Sequence, residues 1–460
     1  MLRPFLAGRH PRHLLSRRHE CRRLAQLGRR ADAIPSRSYT SSDDETTDSD
    51  IDRCSKAKIV SPTSANRYGR TSPGYRKGHL YLVLDDWKKG FSIHKLDLHD
   101  GSGGGDLALR PPVHRQSSEQ TQYWGFAAVG SNIIATGNLS SSGRGCVTLA
   151  YDTETAGLSI IPDLPKPLHR HWIHAAAAGN KLYAFVGNLD DQEGSYKGCT
   201  HRLEDVPPPT DREAYWWGNR DHWSWSSIPS TLPFNVYQML SIAVHPEGGG
   251  RTLFVSVEGG GASDPWSKGK GDGYLDVFGE DTPSRTYSYD IESGKWTGHC
   301  EWGLPFFGQV HYDKELDAWV GLHKAHGDPD GYISSCDVIC PNESSAQPAW
   351  KLCAERLFDP HAEAMRLYRD RHVPASLVYM GDSTYCLVEV VPQERFKRRR
   401  CTSTGSKCMI RLSMFRLKYG KNGELRITTH MPNRYYLFPK YNEGFQVQAF
   451  WMRWRLYGTT

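Results

Sequence analysis

The sequence predicts an all-β protein of short strands and many turns, and three observations support this prediction. Its 460 residues include 44 Gly, 27 Pro and 11% aromatic residues, a composition typical of chains rich in strands and turns. One phrase occurs twice, as YDTETAGLSIIPDLP from Tyr151 and as YDIESGKWTGHCEWGLP from Tyr289. Apolar segments of strand length also recur at intervals of roughly fifty to seventy residues, the spacing of repeat architectures. One sheet unit is therefore expected to be repeated along the chain.

The first forty residues are predicted to be a mitochondrial transit peptide. Segment 1–40 is rich in Arg, poor in acids, and lacks the continuous apolar stretch of a secretory signal. Its end, RSYT, is similar to the mitochondrial processing site, so Arg37, Tyr39 and Thr40 are the predicted cleavage residues. A disordered basic tail, an error of gene prediction and chloroplast import are the alternatives.

Composition also sets the remaining boundaries. Residues 41–77 contain the acidic run SSDDETTDSDID and are predicted to be a disordered linker. The repeated segments occupy 78–452, the predicted folded domain, and 453–460 are expected to be a short tail.

Charge, hydropathy and cysteine content exclude several classes of protein. No apolar run is long enough to span a membrane, so membrane insertion is not expected. The net charge of +6 is small and much of it lies in the first forty residues, which makes nucleic acid an unlikely partner for the folded part. The 11 Cys are an odd number and are scattered, which predicts reduced thiols rather than a disulfide framework.

Each repeat has two parts. The first part is an apolar strand, seen in HLYLVLDDW, NIIATGN, NKLYAFVGN, TLFVSVEGG, LDAWVGLHK and STYCLVEVV. The second is a strand, a turn and another strand, seen in FSIHKLDLHDG, TLAYDTETAGL, HWSWSSIPSTLP, YSYDIESGKW, ISSCDVICPN and MFRLKYGKNGEL. Alternation of apolar and polar residues in CVTLAYD and RTYSYD predicts half-buried strands.

The Tyr-Asp phrases are predicted to be β-hairpins. Acidic and hydroxyl side chains bond local backbone groups in such turns, and Gly adopts positive φ without strain. The residues expected to build the turns are Tyr151, Asp152, Gly157, Tyr289, Asp290, Gly294 and Trp296.

A unit of four strands is too small to bury both of its faces alone. Stacking the units around an axis gives each face a neighbour, and this predicts a β-propeller. The repeats count to six blades. A seventh stays open, because 192–230 or 340–376 has room for another blade.

The repeat resembles the kelch repeat, which has an apolar strand, a Gly-rich turn, a strand ending in Tyr-Asp, and a Trp. Trp296 lies six residues beyond Asp290, and the double Gly is clear at Gly259-Gly260. The chain is more closely similar to a grass-expanded family of uncharacterised kelch-like β-propeller proteins with a domain of unknown function. The phrases that carry this resemblance are LYLVLDDW, WGFAAVGSNI, WSWSSIPSTLPF, SIAVHPEGGGRTLFVS, LPFFGQVHYDKELDAWVGL and FQVQAFWM. The resemblance implies a plant source and supplies no catalytic residues.

No catalytic, cofactor-binding or metal-binding residues are predicted. His169, His171 and His174 lie close together in HRHWIH, but a zinc site needs further ligands, and structural or surface histidines are the preferred interpretation. Cys336 and Cys340 are too far apart along a strand to share a zinc ion. Neither the paired carboxylates of glycoside hydrolysis nor the Tyr, His and Cys ligands of a copper-radical oxidase can be identified.

A non-enzymatic protein-interaction module is the predicted function, because propellers bind through loops at one end. The candidate anchors for a protein partner are Trp87, Trp216, Trp217 and Trp266, with blade packing as the alternative for each. Two further hypotheses remain. One is an enzyme with a site for a sugar or small metabolite in the central channel. The other is a nuclear interaction protein that uses the basic run Lys397–Arg400.

Overall fold

The computed structural model describes residues 78–98, 106–117, 121–139, 146–162, 173–190, 195–205, 223–258, 284–299, 302–324, 331–341, 347–358, 375–392, 406–441 and 445–453. All of them belong to the unit Thr71–Thr460. The predicted transit peptide and linker lie outside the described residues.

The described residues form strands, with two short 3-10 helices at Val236–Gln238 and Glu247–Gly249. The strands are β1 (Gly78–Trp87), β2 (Gly90–Leu96), β3 (Asp106–Ala108), β4 (His114–Ser117), β5 (Thr121–Val129), β6 (Asn132–Leu139), β7 (Cys146–Asp152), β8 (Leu158–Ile161), β9 (Ile173–Ala178), β10 (Lys181–Asp190), β11 (Ser195–Asp205), β12 (Trp223–Thr231), β13 (Met239–Val244), β14 (Thr252–Glu258), β15 (Ser284–Asp290), β16 (Lys295–Gly298), β17 (Phe306–Asp313), β18 (Ala318–His323), β19 (Ile333–Asp337), β20 (Trp350–Leu352), β21 (Ala375–Gly381), β22 (Thr384–Pro392), β23 (Ser406–Tyr419), β24 (Leu425–His430), β25 (Arg434–Lys440) and β26 (Gln448–Arg453).

These strands pair into several small, mainly antiparallel sheets. Sheet 1 has the order β26-β1-β2-β4, sheet 2 is β5-β6-β7-β8 and sheet 3 is β9-β10-β11-β12. An eight-stranded sheet divides at a short parallel contact between β13 and β17 into two meanders, sheet 4 (β13 to β16) and sheet 5 (β17 to β20). Sheet 6 is β21-β22-β23-β25, with β24 also on β23 and β3 on the outer edge of β25. The all-β prediction is confirmed, and the arrangement is β-propeller-like.

Sheet 1 combines the two ends of the described chain. Strand β26 pairs antiparallel with β1, in a register that runs from Gly78 opposite Arg453 to Val83 opposite Gln448. The last described strand therefore completes the sheet that the first strand begins.

The strands of the Tyr-Asp repeat are buried on both faces, so the prediction of half-buried strands is wrong. In β7, Thr148, Leu149, Ala150 and Tyr151 are all buried, although they point alternately to opposite faces of the sheet. Small hydroxyl residues at the polar positions of the pattern are accommodated in the interior. The reason is that each sheet is packed against a neighbour on both sides.

The core is divided among clusters that lie between successive sheets. Burying one large apolar side chain in such a cluster stabilises the fold by about 1.5–3 kcal/mol. Representative buried pairs are Tyr81 with Leu149 for sheets 1 and 2, Ile134 with Leu203 for 2 and 3, Tyr183 with Leu253 for 3 and 4, Phe254 with Trp319 for 4 and 5, Val320 with Leu387 for 5 and 6, and Leu80 with Val388 for 1 and 6.

The repeat assignment is wrong in sheet 3. The segment HWSWSSIPSTLP was expected at the position of a third strand, but β12 is the fourth strand and β11 is the third. Strand β11 reads SYKGCTHRLED, in which polar residues obscure the apolar pattern of a core strand. The described strands within 192–230 therefore belong to sheet 3 and do not form an additional sheet.

Both Tyr-Asp phrases form hairpins, between β7 and β8 and between β15 and β16. The Asp152 carboxylate accepts hydrogen bonds from the Glu154 N–H at 3.0 Å and from Thr155 Oγ1 at 2.7 Å. The Asp290 carboxylate accepts one from the Ser293 N–H at 2.6 Å. The carboxylate thus holds the turn in both copies.

The two turns differ in the residue that has positive φ. Gly294 has φ 67°, as the hairpin prediction requires, but in the first copy Ala156 has φ 57° and Gly157 does not lie in this region. The Gly157 N–H donates to Thr155 Oγ1 at 3.2 Å, which fixes the turn one residue earlier. Trp296 packs against Tyr289, with ring centroids 4.8 Å apart, so this Trp is part of the core between sheets 3 and 4.

Candidate functional site

A cavity of about 350 Å³ lies where the first strands of sheets 3 to 6 reach their turns. The β9–β10 turn and the β13–β14 turn form one side, and β17 and β21 supply the other side. The polar side chains that line it are His245, Gln309, His311, Tyr312 and Tyr379, and this set is called the inner-strand pocket below.

Glycines form the wall that belongs to the two turns. Gly179 has φ 59° and Gly250 has φ 85°, a region of backbone conformation that favours Gly. A Cβ atom on Gly250 would lie 3.1 Å from the backbone nitrogen of Gly179. The two turns can therefore approach one another only because these positions carry no side chain.

His311 lines the pocket and has one ring nitrogen that can accept a hydrogen bond. Its Nε2–H donates to the Leu377 carbonyl oxygen at 2.8 Å. Burial lowers the pKa of His311 below its ordinary value, against the effect of the hydrogen bond to Leu377, so the ring is neutral at neutral pH. With the proton on Nε2, the other ring nitrogen Nδ1 is an acceptor.

His245 has the same tautomer, but here the hydrogen bond fixes the other ring nitrogen. Its Nδ1 accepts a hydrogen bond from the Glu247 N–H at 3.3 Å, so its proton lies on Nε2, which is a donor. The side chain is only 4% exposed and packs against Phe254 and Trp319. The Trp319 indole in turn donates to the Val244 carbonyl at 3.1 Å, which fixes the start of the β13–β14 turn.

The two tyrosines of the pocket are neutral phenols. The Tyr312 hydroxyl donates to Asp317 Oδ1 at 2.8 Å, and this hydrogen bond, together with burial, raises its pKa. Burial, followed by the negative charge of Asp313, raises the pKa of Tyr379 to about 12. With a neutral histidine at 311, the described lining at this end consists of uncharged donors and acceptors beside aromatic faces.

A buried carboxylate fixes the position of β17 relative to sheet 6. Asp313 is 0% exposed and accepts hydrogen bonds from the Tyr385 hydroxyl at 2.8 Å, from Ser383 Oγ at 2.9 Å and from the Glu315 N–H at 2.9 Å. Ser383 lies in the two-residue β21–β22 turn, where it and Asp382 both have positive φ. The network joins this strained turn to the residue next to Tyr312, so it positions both tyrosines of the pocket.

The sequence-predicted site residues lie elsewhere. Trp87 ends β1, is half-buried, and has the Arg115 guanidinium carbon 5.8 Å from its ring centroid. Trp216, Trp217 and Trp266 lie outside the described residues, as do the predicted cleavage residues and the basic run 397–400. The hairpin residues of the Tyr-Asp phrases lie between the outer strands of sheets 2 and 4, away from the first strands that line the pocket.

Sequence reasoning missed every polar residue of the pocket, although a signal was present. His245 and His311 stand in AVHPEGGG and GQVHYD, each at the point where an apolar strand meets a turn. The first strands β5, β9 and β21 have no histidine near this end, so the two histidines depart from the repeat.

In the described part of the chain, no group of three or more His, Cys, Asp or Glu side chains has the geometry to hold a metal ion. His169 and His171 lie outside the described residues. Cys336 is buried, with its pKa raised to about 12 by burial, whereas Cys340 is exposed. No helix of the described residues is long and apolar enough to cross a membrane.

Several solved structures are similar to this chain at low identity. A putative 6-phosphogluconolactonase from Bacteroides uniformis has 11% identity and a TM-score of 0.39, over 77% of this chain and 83% of that one. TolB from Acinetobacter baumannii has 10% identity and a TM-score of 0.38, over 82% and 67%. The periplasmic gluconolactonase of Pseudomonas aeruginosa has 9% identity and a TM-score of 0.35, over 80% and 99%. A search of curated proteins found no match.

Family comparison gives a clearer result. The model of one family, described as "Protein of unknown function (DUF1668)", matches residues 77–436, which is most of the chain. This agrees with the resemblance to a family defined by a domain of unknown function. The chain therefore belongs to the DUF1668 family of proteins of unknown function.

Proposed function

We propose that the sheets are the blades of a closed, kelch-like β-propeller with six blades. Two observations support this proposal. Buried clusters link sheet 1 to sheet 2, each later sheet to the next, and sheet 6 back to sheet 1. Strand β26 also completes sheet 1, which joins the end of the described chain to its beginning.

Deletion of residues 445–460 tests closure, because it removes β26. We expect the shortened protein to lose its cooperative urea transition, and a synthetic peptide of residues 445–460 to restore it. Deletion of 454–460 alone leaves β26 intact and is the control. Closure through β26 is refuted if both deletions unfold at the same urea concentration as the full chain.

The propeller is proposed to be a non-enzymatic protein-interaction module, and the inner-strand pocket carries this proposal. Its neutral histidine, neutral tyrosines and Gln309 offer hydrogen bonds without charge, beside aromatic faces. Such a lining matches an uncharged polar segment of a protein partner. A charged partner segment would lose its hydration here without gaining an ion pair.

Gln309→Arg is the variant that tests the pocket, because residue 309 is exposed and its replacement leaves the core unchanged. Asn422→Arg, in the exposed β23–β24 turn, adds the same charge elsewhere and is the matched control. Proteins that copurify with the wild type from plant cells are identified, and the most enriched one is purified for direct titration. We expect Gln309→Arg to weaken its binding by at least about tenfold and Asn422→Arg to leave it unchanged. Equal affinities for all three proteins would refute the role of the pocket.

An enzyme that acts on a sugar or small metabolite is the second candidate, and one observation favours it. The acceptor nitrogen of His311 belongs to a neutral ring in a pocket, which is the state that a general base requires. A panel of neutral sugars and lactones is tested for turnover by the wild type and by His311→Gln. Turnover that is lost in His311→Gln, while the urea midpoint is unchanged, would favour the enzyme over the interaction module.

The protein is proposed to act in plant mitochondria, because segment 1–40 has the composition of a transit peptide. Fusion of 1–40 to a fluorescent protein is expected to direct it to mitochondria, and N-terminal sequencing of the mature protein is expected to give Thr40 or a close neighbour. Import by chloroplasts is the alternative destination that the same fusion would reveal. A nuclear signal with an intact Met1 would contradict this proposal and would favour the basic run Lys397–Arg400 as the address.

A further inference from the structure

A cysteine, a histidine and a serine form a hydrogen-bonded row on the outer strands of sheet 3. Cys199 and His201 are two residues apart on β11, so their side chains lie on the same face of that strand. Cys199 Sγ is 3.3 Å from His201 Nε2, and His201 Nδ1 is 3.1 Å from Ser227 Oγ on β12. Cys199 is a thiol rather than half of a disulfide.

The row has the contacts needed to transfer a proton from sulfur to imidazole. When the thiol proton is on His201, the ring carries two N–H groups, and both have an acceptor: the Cys199 sulfur and the Ser227 hydroxyl. His201 is 1% exposed, so it cannot turn towards water instead. This is the relation of nucleophile, base and orienting group that activates a weak nucleophile.

Other described cysteines have different surroundings. The thiols of Cys336 and Cys353 donate to a carbonyl and a carboxylate oxygen, respectively, and Cys386 is buried among apolar side chains. An oxygen acceptor of this kind does not stabilise a thiolate, and burial raises the pKa of all three thiols to about 12. These residues are therefore internal references for an unreactive thiol in the same protein.

The walls around Cys199 are apolar, and this affects its reactivity in two ways. The half-buried side chain packs with Ala184, Val186 and Trp225. Apolar surroundings disfavour an isolated thiolate, but a thiolate paired with an imidazolium is a neutral unit, and the proton moves only between two atoms in contact. The same walls favour small reagents over bulky ones.

We propose that Cys199 is a nucleophilic modification site at which hydroperoxides oxidise the thiol to a sulfenic acid, with His201 as the proton carrier. The thiolate sulfur attacks the terminal peroxide oxygen, so an S–O bond forms and the O–O bond breaks. The departing alkoxide or hydroxide takes the proton from the His201 imidazolium and leaves as alcohol or water. Sulfur is oxidised by two electrons and the peroxide is reduced by two.

This site is separate from the inner-strand pocket and stands whether or not the pocket binds a partner. Its residues lie on the third and fourth strands of sheet 3, whereas the pocket is formed at the ends of first strands.

The pH dependence of alkylation tests the proposal. The full chain is treated briefly with iodoacetamide from about pH 5 to about pH 9, and each cysteine peptide is quantified by mass spectrometry. We expect Cys199 to react at least about tenfold faster than the exposed Cys340 at about pH 6, because the thiolate is the reactive form and His201 can hold the thiol proton of Cys199. Cys386 should stay unlabelled and thereby reports that the protein is folded.

Two variants show whether His201 causes this reactivity. His201→Asn should shift the Cys199 profile to that of Cys340, while Cys386 remains protected. Ser227→Ala, at an exposed position, should raise the pH of half-maximal labelling with less effect on folding. Hydrogen peroxide followed by dimedone should label Cys199 in the wild type and not in His201→Asn. The proposal is overturned if Cys199 and Cys340 have the same pH profile, or if the profile of Cys199 is unchanged in both variants.

Discussion

Replacing Asp313 by Ala is expected to reduce the free energy of unfolding by about 2–6 kcal/mol, because the carboxylate is the shared acceptor of a buried network. The Tyr385 hydroxyl, in a residue that is 0% exposed, would lose its acceptor, at a cost of about 1–3 kcal/mol. Two backbone N–H groups, of Glu315 and Leu316, would lose an anionic acceptor but can bind water, at about 0.5–1.5 kcal/mol each. Ser383 retains a hydrogen bond to Glu315 Oε2 at 3.1 Å and adds little.

A double-mutant cycle with Tyr385→Phe separates the network from simple loss of packing. In the wild type this substitution removes one hydrogen bond to a charged acceptor and should cost about 1.5–3 kcal/mol. In the Asp313→Ala background it removes a hydroxyl that already lacks an acceptor, so it should be neutral or stabilising. The expected coupling energy is about 2 kcal/mol.

Tyr419→Phe is the matched control, since Tyr419 donates to Ser335 Oγ at 3.0 Å and not to Asp313. It should cost about 0.5–1.5 kcal/mol in both backgrounds. Urea unfolding followed by tryptophan fluorescence gives the free energies, provided that the slope with urea is the same for all variants. If Tyr385→Phe costs the same free energy with and without Asp313, the carboxylate does not organise the contact between β17 and sheet 6. The Asp313 network would then not position the two tyrosines of the pocket.

Two further predictions concern acid stability and the wall of the pocket. Burial would raise the pKa of Asp86, but hydrogen bonds, with His94 as the main donor, outweigh it and hold the pKa below its ordinary value. The stability that the ionised Asp86 carboxylate contributes is therefore complete above about pH 4 and is lost as the pH falls through the pKa of the folded state. The difference in urea midpoint between the wild type and Asp86→Asn should accordingly shrink below about pH 4. Gly250→Ala should destabilise the protein by about 1 kcal/mol more than Gly249→Ala, because both positions have positive φ but only a Cβ at 250 meets neighbouring atoms; equal urea midpoints for the two variants would contradict this.

The fold could be predicted from the sequence to the extent that packing imposes the same pattern on every sheet. The second strands in LYLVL, LYAFV and TYCLVEVV are buried on both faces in each copy, so apolar runs of strand length recur and can be recognised. The pattern failed in β11, where Thr200 and His201 are buried and Cys199 is half-buried. His201 is accommodated by a hydrogen bond to Ser227 on β12, and Cys199 by one to His201 on the same strand. A hydrophobic pattern does not record such bonds.

The candidate sites could not be predicted, because each depends on residues that are distant in sequence. Cys199 and His201 are two residues apart in the sequence, but the hydrogen-bonded row also needs Ser227, which approaches only when β12 pairs with β11. In the pocket, His311 and Tyr379 come together because β17 and β21 are adjacent first strands. The predicted binding anchors Trp216, Trp217 and Trp266 lie outside the described residues and stay predictions, whereas Trp296 and Trp319 are core residues.

The pocket lies beside the longest of the described turns between a first strand and the second strand that follows it, and the physics of the fold explains why such a turn is tolerated. Turns that join a first strand to a second one need only two residues, such as Gly179-Asn180 or Asp382-Ser383, and these are constrained by packing. In sheet 4 the corresponding turn runs from His245 to Arg251 and includes a 3-10 helix, a length that strand pairing does not require. Neither strand pairing nor core packing requires these extra residues. Their side chains can therefore be replaced without loss of the fold. The longer turn carries His245 and the glycines that form one wall of the pocket, so it is the part of the repeat that the proposed binding would use most directly.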